Sequence, residues 1–556
     1  MVECYKIPKR CGETRPNRNL KREYRMVIGK AISEWRALLG DSRVLTGPEV
    51  QQGYGADTTG QQRDIPVALQ ITDAGVLPQV MQIAQANHVP VYPISTGKNW
   101  GYGSSLPVKD GCALIDLSQL QKIIHFDAEL GVITLEPGVT QGMLAEFLKR
   151  GQHPYLVPVT GAGPTCSLLG NALERGYGVT PHVDHFGAVT DLEAVLADGS
   201  IYKTALREAG GDDVARLFKW GIGAYSAGLF TQSGFGIVTR MTIVLARRPE
   251  CTKVCLFSLK DDKLLETAVE RIRTILGRLP GTIGAINLMN QHRVLSMAAP
   301  FPRDRLGPDG LIPADVIAAL GRQYQIFPWT GFGTLYGTKG VVAAAQKEIR
   351  AALGSIATRM MFLTPERAQT LSRLAKLIPG KRGKGLAGMT ATLEKSLELV
   401  AGQPNETALP LAYWRNRSTQ QQALKNPAAD GCGLIWYAPL VPMRPSGVRA
   451  YVDMVKEIAP RHGIEPLITF TTLNDRLFDS TVPIIFEKDQ PAAAGAAQAC
   501  YTELLHAGRA KGWFPYRVGV GTMQTLGAMQ PQSTAFHQRL KAGIDPASLI
   551  SPGRYE

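Results

Sequence analysis

The segment PISTGKNWGYGSSLPVK, residues 93–109, is the most informative stretch in this chain of 556 residues. Its glycines at 97, 101 and 103 alternate with small polar residues, directly after an apolar run that predicts a strand. A backbone that turns tightly after a strand exposes successive N–H groups, which can bind a pyrophosphate, and Lys98 would add positive charge. The spacing matches neither the P-loop nor the Rossmann fingerprint, and a lone glycine-rich loop is more often only a turn.

Two further glycine-rich segments favour a ligand over a simple turn. They are GAGPTCSLLGNALERGYGVTPHVDHFG, residues 161–187, and FTQSGFGIVTR, residues 230–240. Three such loops in one predicted domain indicate a long ligand bound along its length, and a dinucleotide has that length. His182, Asp184 and His185 could bind a metal, but the sequence supplies no third ligand nearby. We therefore expect no metal, and a turn that faces the cofactor, with structural packing as the alternative.

The apolar pattern predicts a two-domain α+β protein. Residues 65–95 predict a strand, a helix and a strand in succession, and the 3–4 spacing over Val27–Leu39 predicts an earlier helix. We assign residues 27–248 to a first, cofactor-binding domain whose core spans about 64–248. Residues 249–507 form a second α+β domain, and residues 508–556 return to the first domain and the active site.

Charge and composition exclude several classes of protein. Lys and Arg number 61 against 47 Asp and Glu, and residues 1–26 hold the densest basic run, which predicts a flexible tail. No nucleic-acid motif accompanies the charge, so nucleic acid is not an expected partner. No run of about 18 apolar residues predicts a membrane span, and nothing before Met26 predicts a secretory signal. The eight cysteines are too few for a disulfide framework, which favours a reducing, cytoplasmic compartment.

Tyr516 and Arg517, in GWFPYRVG, form the other unusual pair. A tyrosine hydroxyl and a guanidinium are both donors, and together they can hold an oxyanion. Neighbouring side chains on a strand point to opposite faces, so the backbone must bend for both to reach one ligand. A surface pair without function is the alternative.

Seven segments in collinear order resemble the vanillyl-alcohol oxidase/p-cresol methylhydroxylase family of flavoproteins, from about Val27 to Arg554. They are PISTGKNWGYGSSLPV, LEPGVTQGMLAEFL, LLGNALERGYGVTPHVDHFG, FTQSGFGIVTRM, GLIWYAPLVP, GWFPYRV and IDPASLISPGR. The resemblance implies an FAD-binding domain of the p-cresol methylhydroxylase type, with a substrate domain that covers the flavin. The family oxidises para-alkylphenols at the benzylic carbon.

The resemblance also assigns residues to the cofactor and the substrate. Tyr102, Tyr516 and Arg517 fall on the family's phenol-binding residues, and they would favour the phenolate and hold it near the flavin. The predicted FAD-binding residues are Pro93, Ile94, Ser95, Thr96, Gly97, Lys98, Asn99, Trp100, Gly170, Asn171, Arg175, Gly176, His182, Asp184, His185, Gly234, Gly236, Ile237, Val238, Tyr413 and Arg554. Arg554 would stabilise the negative charge of the reduced flavin.

The implied reaction begins with hydride removal from a para-substituted phenol such as 4-cresol, a 4-alkylphenol, eugenol or vanillyl alcohol. Water then attacks the quinone methide, and the electrons pass to a c-type cytochrome. The resemblance further implies a homodimer, or a heterotetramer with the cytochrome, and a periplasmic location, which differs from the cytoplasmic default.

Departures from the family pattern narrow this expectation. The loop VPVTGAGPTCSLL, residues 157–169, lacks the aspartate of the family's oxidases, which favours the cytochrome-coupled branch. Gly433 and Leu434 stand where oxidases attach FAD through a histidine, whereas Tyr413 suggests a tyrosyl link. Leu409 and Thr469 stand roughly where some of the family's hydroxylases carry acidic residues, near the linking tyrosine and in the substrate domain.

Two alternatives to a cytochrome-coupled hydroxylase remain. One is an aryl-alcohol oxidase that uses O2, and the other is a flavin-binding subunit without turnover.

Overall fold

The computed structural model describes residues 18–377, 380–416 and 424–556. Its first helix spans Arg18–Leu39, so it begins well before the predicted start at Val27. The segment RNLKREYRM, residues 18–26, is rich in residues that favour helices, which explains why the predicted tail is helical there. The rest of that tail, residues 1–17, lies outside the described residues.

The N-terminal part contains a small mixed sheet next to a larger antiparallel one. In the mixed sheet, three parallel strands follow an antiparallel edge strand, in the order Val44–Thr46, Val67–Gln70, Ala113–Asp116 and Val91–Ile94. The helix Leu77–Ala86 packs its buried Leu77, Val80 and Met81 toward this core, at the spacing that an amphipathic helix requires. The strands of the antiparallel sheet are, in order, Ile123–Asp127, Val132–Leu135, Ile237–Val244, Val189–Val195 and Ile201–Lys203.

The strands after Cys251 form one large antiparallel sheet. Their order is Arg359–Leu363, Cys251–Leu259, Trp329–Gly337, Ile283–Asn290, Thr469–Thr472, Leu477–Phe486, Pro439–Pro442 and Phe514–Pro515, and Gly433–Tyr437 also pairs with Leu477–Phe486. A two-stranded antiparallel pair, Tyr155–Leu156 with Ala246–Arg247, lies outside these sheets. The mixed helix and sheet content confirms the predicted α+β fold class.

Helices cover both parts of the molecule. In the N-terminal part, the other helices are Pro48–Tyr54, Gln141–Arg150, Leu168–Leu173, Ala205–Glu208 and Asp212–Ala215. Around the large sheet they are Leu265–Arg278, Gln291–Ala298, Ala314–Tyr324, Lys339–Leu353, Pro365–Ala375, Gly380–Val400, Pro445–Arg461 and Pro491–Ala510, and near the C-terminus Met523–Met529 and Pro531–Ile544. Among the described helices, none combines the length and the apolar character that a membrane crossing needs.

The C-terminal segment pairs with the mixed sheet of the N-terminal part. Val91 donates to the carbonyl of Leu549 at 2.8 Å and accepts from Ser551 at 2.8 Å. A buried ion pair supports this docking, because Lys541 Nζ lies 2.8 Å from Asp545 Oδ2 and also donates to the carbonyl of Ile550. The segment that holds Arg554 is therefore fixed beside the strand that leads into the glycine-rich loop.

Asp545→Ala should destabilise the protein by about 3 kcal/mol, because it leaves the buried Lys541 without its carboxylate. The melting temperature of the FAD-loaded protein measures this effect. Glu348→Ala is the matched control, since Glu348 pairs with Arg278 at 3.9 Å on the surface and should contribute only about 0.5 kcal/mol. Equal losses of melting temperature in the two variants would contradict the proposed role of Asp545.

Candidate active site

A cavity of about 450 Å³ lies where the N-terminal part meets the large sheet. Residues from all three glycine-rich segments line it, together with Leu434 and Trp436 of the strand Gly433–Tyr437 and the C-terminal residues Tyr516, Arg517 and Arg554. The loop and the strand contact each other directly, because Trp436 donates its backbone N–H to the carbonyl of Gly101 at 3.2 Å. One cavity thus joins the predicted cofactor loops to the predicted phenol-binding residues.

The loop after the strand Val91–Ile94 presents backbone donors to this cavity. Within the described part of the chain, the N–H groups of residues 96–100 donate no hydrogen bond. Gly97 has a φ of +65°, and a Cβ atom there would lie 2.2 Å from Ser105 Oγ, so the turn requires glycine. Lys98 lines the same wall. Consecutive free N–H groups beside a lysine form a nest suited to a pyrophosphate.

The second glycine-rich segment packs on that loop and completes the cradle. The backbone N–H of Ser167 donates to Thr96 Oγ1 at 3.2 Å, and a Cβ atom at Gly170 would lie 2.4 Å from Ser95 Oγ. Among the described residues, the buried Trp100 Nε1 has no hydrogen-bond partner. The unpaired donors and the close approach of the two loops fit a long phosphate-bearing cofactor such as FAD.

At the other end of the cavity, Tyr102, Tyr516 and Arg517 come together. The guanidinium of Arg517 lies over the Tyr102 ring, 4.0 Å from its centroid. The Tyr516 hydroxyl interacts electrostatically with the side chains of Arg517 and Tyr102. The strand Phe514–Pro515 ends just before Tyr516, so the backbone leaves the strand and both neighbouring side chains reach the same cavity.

Burial controls the protonation of these groups. It raises the pKa of the Tyr102 hydroxyl well above its usual range, and the neighbouring Tyr516 raises it further. Burial also raises the pKa of Tyr516, although the positive charge of Arg517 opposes that shift. Both hydroxyls therefore keep their protons over the whole neutral range and remain hydrogen-bond donors toward an anion.

Glu174 connects the tyrosine end to the C-terminus. Its Oε2 atom lies 3.4 Å from Arg517 Nε, and its Oε1 atom forms an ion pair with Arg554. Arg554 also donates to the hydroxyl of Tyr92, and Arg517 donates to Asn99 Oδ1. The carboxylate thus places two guanidinium groups in one cavity and balances part of their charge. Sequence reasoning missed Glu174 although it precedes the predicted Arg175.

Asp479 is a second group that sequence reasoning missed. It is 0% exposed, and neither carboxylate oxygen has a hydrogen-bond partner among the described residues. Burial raises its pKa well above the usual range of a carboxyl, and it lies close enough to Tyr102 and Tyr516 that its ionised form would raise their pKa values. The protonated acid therefore leaves the positive field of Arg517 intact. An acid in the apolar strand LFDSTVPIIF is the signal that could have found it.

Most of the predicted cofactor residues line the cavity. Those that do are Pro93, Ile94, Ser95, Thr96, Gly97, Lys98, Asn99, Trp100, Gly170, Asn171, Gly176, Gly236, Val238 and Arg554. The structure does not place Arg175, His182, Asp184, His185, Gly234, Ile237 or Tyr413 on its wall.

Several residues outside the wall have structural contacts instead. His185 Nδ1 contacts Asn171 Nδ2, and burial lowers the pKa of the histidine to about 3, so the ring is neutral and orients Asn171. Arg175 donates to Thr231 Oγ1 at 3.0 Å. A Cβ atom at Gly234 would lie 2.5 Å from the carbonyl of Ile550, so this glycine permits the C-terminal docking. No group of three metal-ligating side chains occurs among the described residues.

Tyr413, the predicted covalent attachment site, does not line the cavity. Tyr413 is the last residue of the short 3-10 helix Leu409–Tyr413, and its hydroxyl donates to Asp430 Oδ2. Burial and the hydrogen bond to Asp430 raise the pKa of this hydroxyl. Leu411 and Ala412 of the same helix line the cavity, whereas Tyr413 packs against the neighbouring apolar cluster.

Known proteins match both the sequence and the fold. Residues 66–205 match the family of FAD binding domains. The chain is 31% identical over 531 residues to a 1'-carboxy-chondrochloren decarboxylase from Chondromyces crocatus, covering 95% of this chain and 97% of that protein. It is 26% identical to the flavoprotein subunit of 4-cresol dehydrogenase [hydroxylating] from Pseudomonas putida, covering 95% of each chain.

The fold gives the same result. Substrate-bound p-cresol methylhydroxylase superimposes with a TM-score of 0.84 at 25% identity, covering 95% of this chain and 97% of that one. The chain belongs to the vanillyl-alcohol oxidase/p-cresol methylhydroxylase family of flavoproteins. The 4-ethylphenol oxidase from Gulosibacter chungangensis shares the fold, with a TM-score of 0.85 at 22% identity, covering 95% of this chain and 97% of that one. The predictions of the family, of the p-cresol methylhydroxylase type of domain and of FAD are confirmed.

We expect this flavoprotein to release its FAD on acid precipitation, because the hydroxyl of Tyr413 is held by Asp430 and lies off the cavity wall. Absorbance of the supernatant and mass spectrometry of the pellet measure the release. Tyr413→Phe is the matched variant and should release the same fraction. Flavin that stays with the wild-type pellet and leaves it in Tyr413→Phe would contradict this expectation and establish the tyrosyl link.

Proposed function

We propose that this flavoprotein oxidises para-substituted phenols at the benzylic carbon. The observation that carries the proposal is the convergence of Tyr102, Tyr516 and Arg517 in one buried cavity beside the cofactor loops. The same cavity is continuous with the nest at residues 96–100, so one bound FAD could extend from the nest to a phenol at the tyrosines. A ligand such as 4-cresol or a longer 4-alkylphenol fits this arrangement.

The three residues would act by favouring the phenolate. Two protonated hydroxyls and one guanidinium direct positive charge at the phenol oxygen, which lowers the pKa of the bound phenol. A phenolate donates electron density to the para carbon, so hydride leaves the benzylic position more readily than from a neutral phenol. Bound FAD supplies the hydride acceptor.

Glu174 would fix the orientation of the guanidinium groups that carry this positive charge. Its carboxylate contacts both Arg517 and Arg554, so neither guanidinium can turn freely toward solvent. We propose that Arg517 faces the phenol oxygen and that Arg554 holds the flavin end of the site. Tyr92 and Asn99 accept hydrogen bonds from the two arginines and limit their orientations further.

For the electron acceptor we propose a c-type cytochrome rather than O2. The loop at residues 157–169 contributes Thr160, Gly161, Ala162 and Cys166 to the cavity but no carboxylate. Of the described residues on the cavity wall, Glu174 is the one carboxylate, and both of its oxygens face arginines. The site thus lacks the free aspartate that the resemblance attributes to the oxidases.

A second candidate function is oxidative decarboxylation of a phenol that carries a carboxylate on its side chain. A water molecule that attacks a quinone methide must lose a proton, and the described wall offers no free carboxylate to accept it. Loss of CO2 needs no such base: the electrons of the C–CO2 bond form the new double bond and restore the phenolate ring. The relative from Chondromyces crocatus, a decarboxylase by name, is consistent with this candidate.

Arg517→Met should slow anaerobic flavin reduction by 4-cresol at least about 100-fold, because it removes the positive charge at the phenol oxygen. Stopped-flow absorbance of the FAD-loaded protein measures the rate, with FAD content determined for each preparation. Arg278→Met, which removes an exposed arginine at the end of the helix Leu265–Arg278, is the matched control and should not slow the reaction.

The methyl ether of 4-cresol gives an independent test, because it cannot form a phenolate. It should not reduce the flavin of the wild-type protein. An unchanged rate in Arg517→Met, or ready reduction by the ether, would contradict the phenolate role of this site.

A further inference from the structure

Arg293 is a buried cation on the wall of the same cavity, and neither the cofactor nest nor the phenol end accounts for it. It is 9% exposed and lies in the first turn of the helix Gln291–Ala298, where its backbone N–H donates to Asn290 Oδ1 at 3.0 Å. Its Nε atom donates to Thr469 Oγ1 at 3.1 Å. Its Nη1 atom has no hydrogen-bond partner among the described residues.

No acid neutralises this guanidinium in the described part of the chain. Burial alone lowers its pKa, to about 10, so the group remains charged at neutral pH. Glu465 lies near the same helix but accepts from the backbone of Ile312 at 2.7 Å and lies 3.7 Å from His292. An unpaired buried charge costs several kcal/mol, so an anion that binds in the cavity would remove much of this penalty.

The large sheet relates Arg293 to the phenol end. Thr469, which holds Arg293, lies directly opposite Thr481 on the neighbouring strand, and Thr481 lines the cavity. Asp479 stands two positions before Thr481 on the same face, about 7 Å away along the strand, and it is near enough to Tyr102 and Tyr516 to influence them if ionised. Arg293 and the phenol-binding residues therefore line the same cavity, so one ligand could contact both.

The surroundings define the chemistry of the missing partner. Of the described residues, the nearby wall contributes the apolar Leu411, Ala412, Leu434 and Trp436 and no further cation for a dianion such as a phosphate ester. A single arginine with a free Nη1 matches a planar monoanion, since the guanidinium fork fits a carboxylate.

We propose that Arg293 binds a carboxylate on the para side chain of the substrate. This proposal rests on the proposed phenol oxidation, because it places the carboxylate at the far end of the molecule whose hydroxyl contacts Arg517. It adds a specificity-determining residue and a substrate class: a 4-hydroxyphenyl compound with an acidic group a few bonds from the benzylic carbon.

The test compares 3-(4-hydroxyphenyl)propanoate with 3-(4-hydroxyphenyl)propanamide, which has the same shape but no charge. In the wild-type holoenzyme, the second-order rate constant for anaerobic flavin reduction (the limiting reduction rate divided by the dissociation constant) should favour the acid. In Arg293→Met, the ratio of acid to amide should fall by roughly 10- to 100-fold, the range expected for loss of a charge-assisted hydrogen bond. Arg293→Lys should retain part of the preference, and Arg278→Met should leave the ratio as in the wild type.

Binding without turnover separates this proposal from the proposed function. The aryl-ether analogue (4-hydroxyphenoxy)acetate has oxygen in place of the benzylic carbon of 3-(4-hydroxyphenyl)propanoate, so it cannot donate hydride. Its dissociation constant, from the change in flavin absorbance, should be lower than that of its amide in the wild type and not in Arg293→Met.

The outcomes are distinct. Reduction of the flavin by both propanoate and propanamide without any preference would overturn the carboxylate site and leave the phenol oxidation in place. Reduction by neither compound would contradict the phenol oxidation, and the dissociation constants of the ether acid and amide would then decide on Arg293. Equal constants for those two ligands, including failure of both to bind, would overturn the proposal.

Discussion

The ion pairs of Glu174 with Arg517 and Arg554 connect the parts of the chain that form this site. Glu174 follows the helix Leu168–Leu173 in the second glycine-rich segment, whereas the two arginines come from the C-terminal segment. A carboxylate and two guanidinium groups that are largely withdrawn from solvent interact strongly, and leaving one of them unpaired is costly. The docking of residues 549–551 on Val91 and the position of Arg517 beside Tyr102 are therefore parts of one arrangement.

This arrangement leaves the cavity with an uneven distribution of charge. Glu174 has two cationic partners, Asp479 is held in its neutral form by burial, and Arg293 has no acidic partner among the described residues. The wall thus favours anions at two separate places, one at the tyrosines and one at Arg293. A substrate with a phenolate at one end and a carboxylate at the other would match both, which connects the proposed function to the further inference.

Local sequence was informative where a motif fixes the backbone, and uninformative where distant residues meet. The glycines after the strand Val91–Ile94 predicted a cradle because Gly97 has a positive φ and no room for a Cβ atom. Tyr516 and Arg517 reach one cavity only because the strand ends at Pro515, which strand periodicity does not reveal. Arg293 depends on Thr469, 176 residues later in the sequence, so no short pattern could have identified it. The helix at Arg18 was missed because basic residues suggested a tail, although the same residues favour helices.

The central claim is that the site binds its phenol as the phenolate, and the ionisation of a bound chromophoric phenol tests it most directly. The holoenzyme would be mixed with 4-nitrophenol at a pH where the free ligand is neutral, and the absorbance of the phenolate recorded. Tyr102 and Tyr516 remain protonated there because their pKa values are raised, so they and Arg517 should lower the pKa of the ligand and make the phenolate band appear. The band should be lost in Arg517→Met. Bound 4-nitrophenol with the spectrum of the neutral phenol in the wild type would contradict the account.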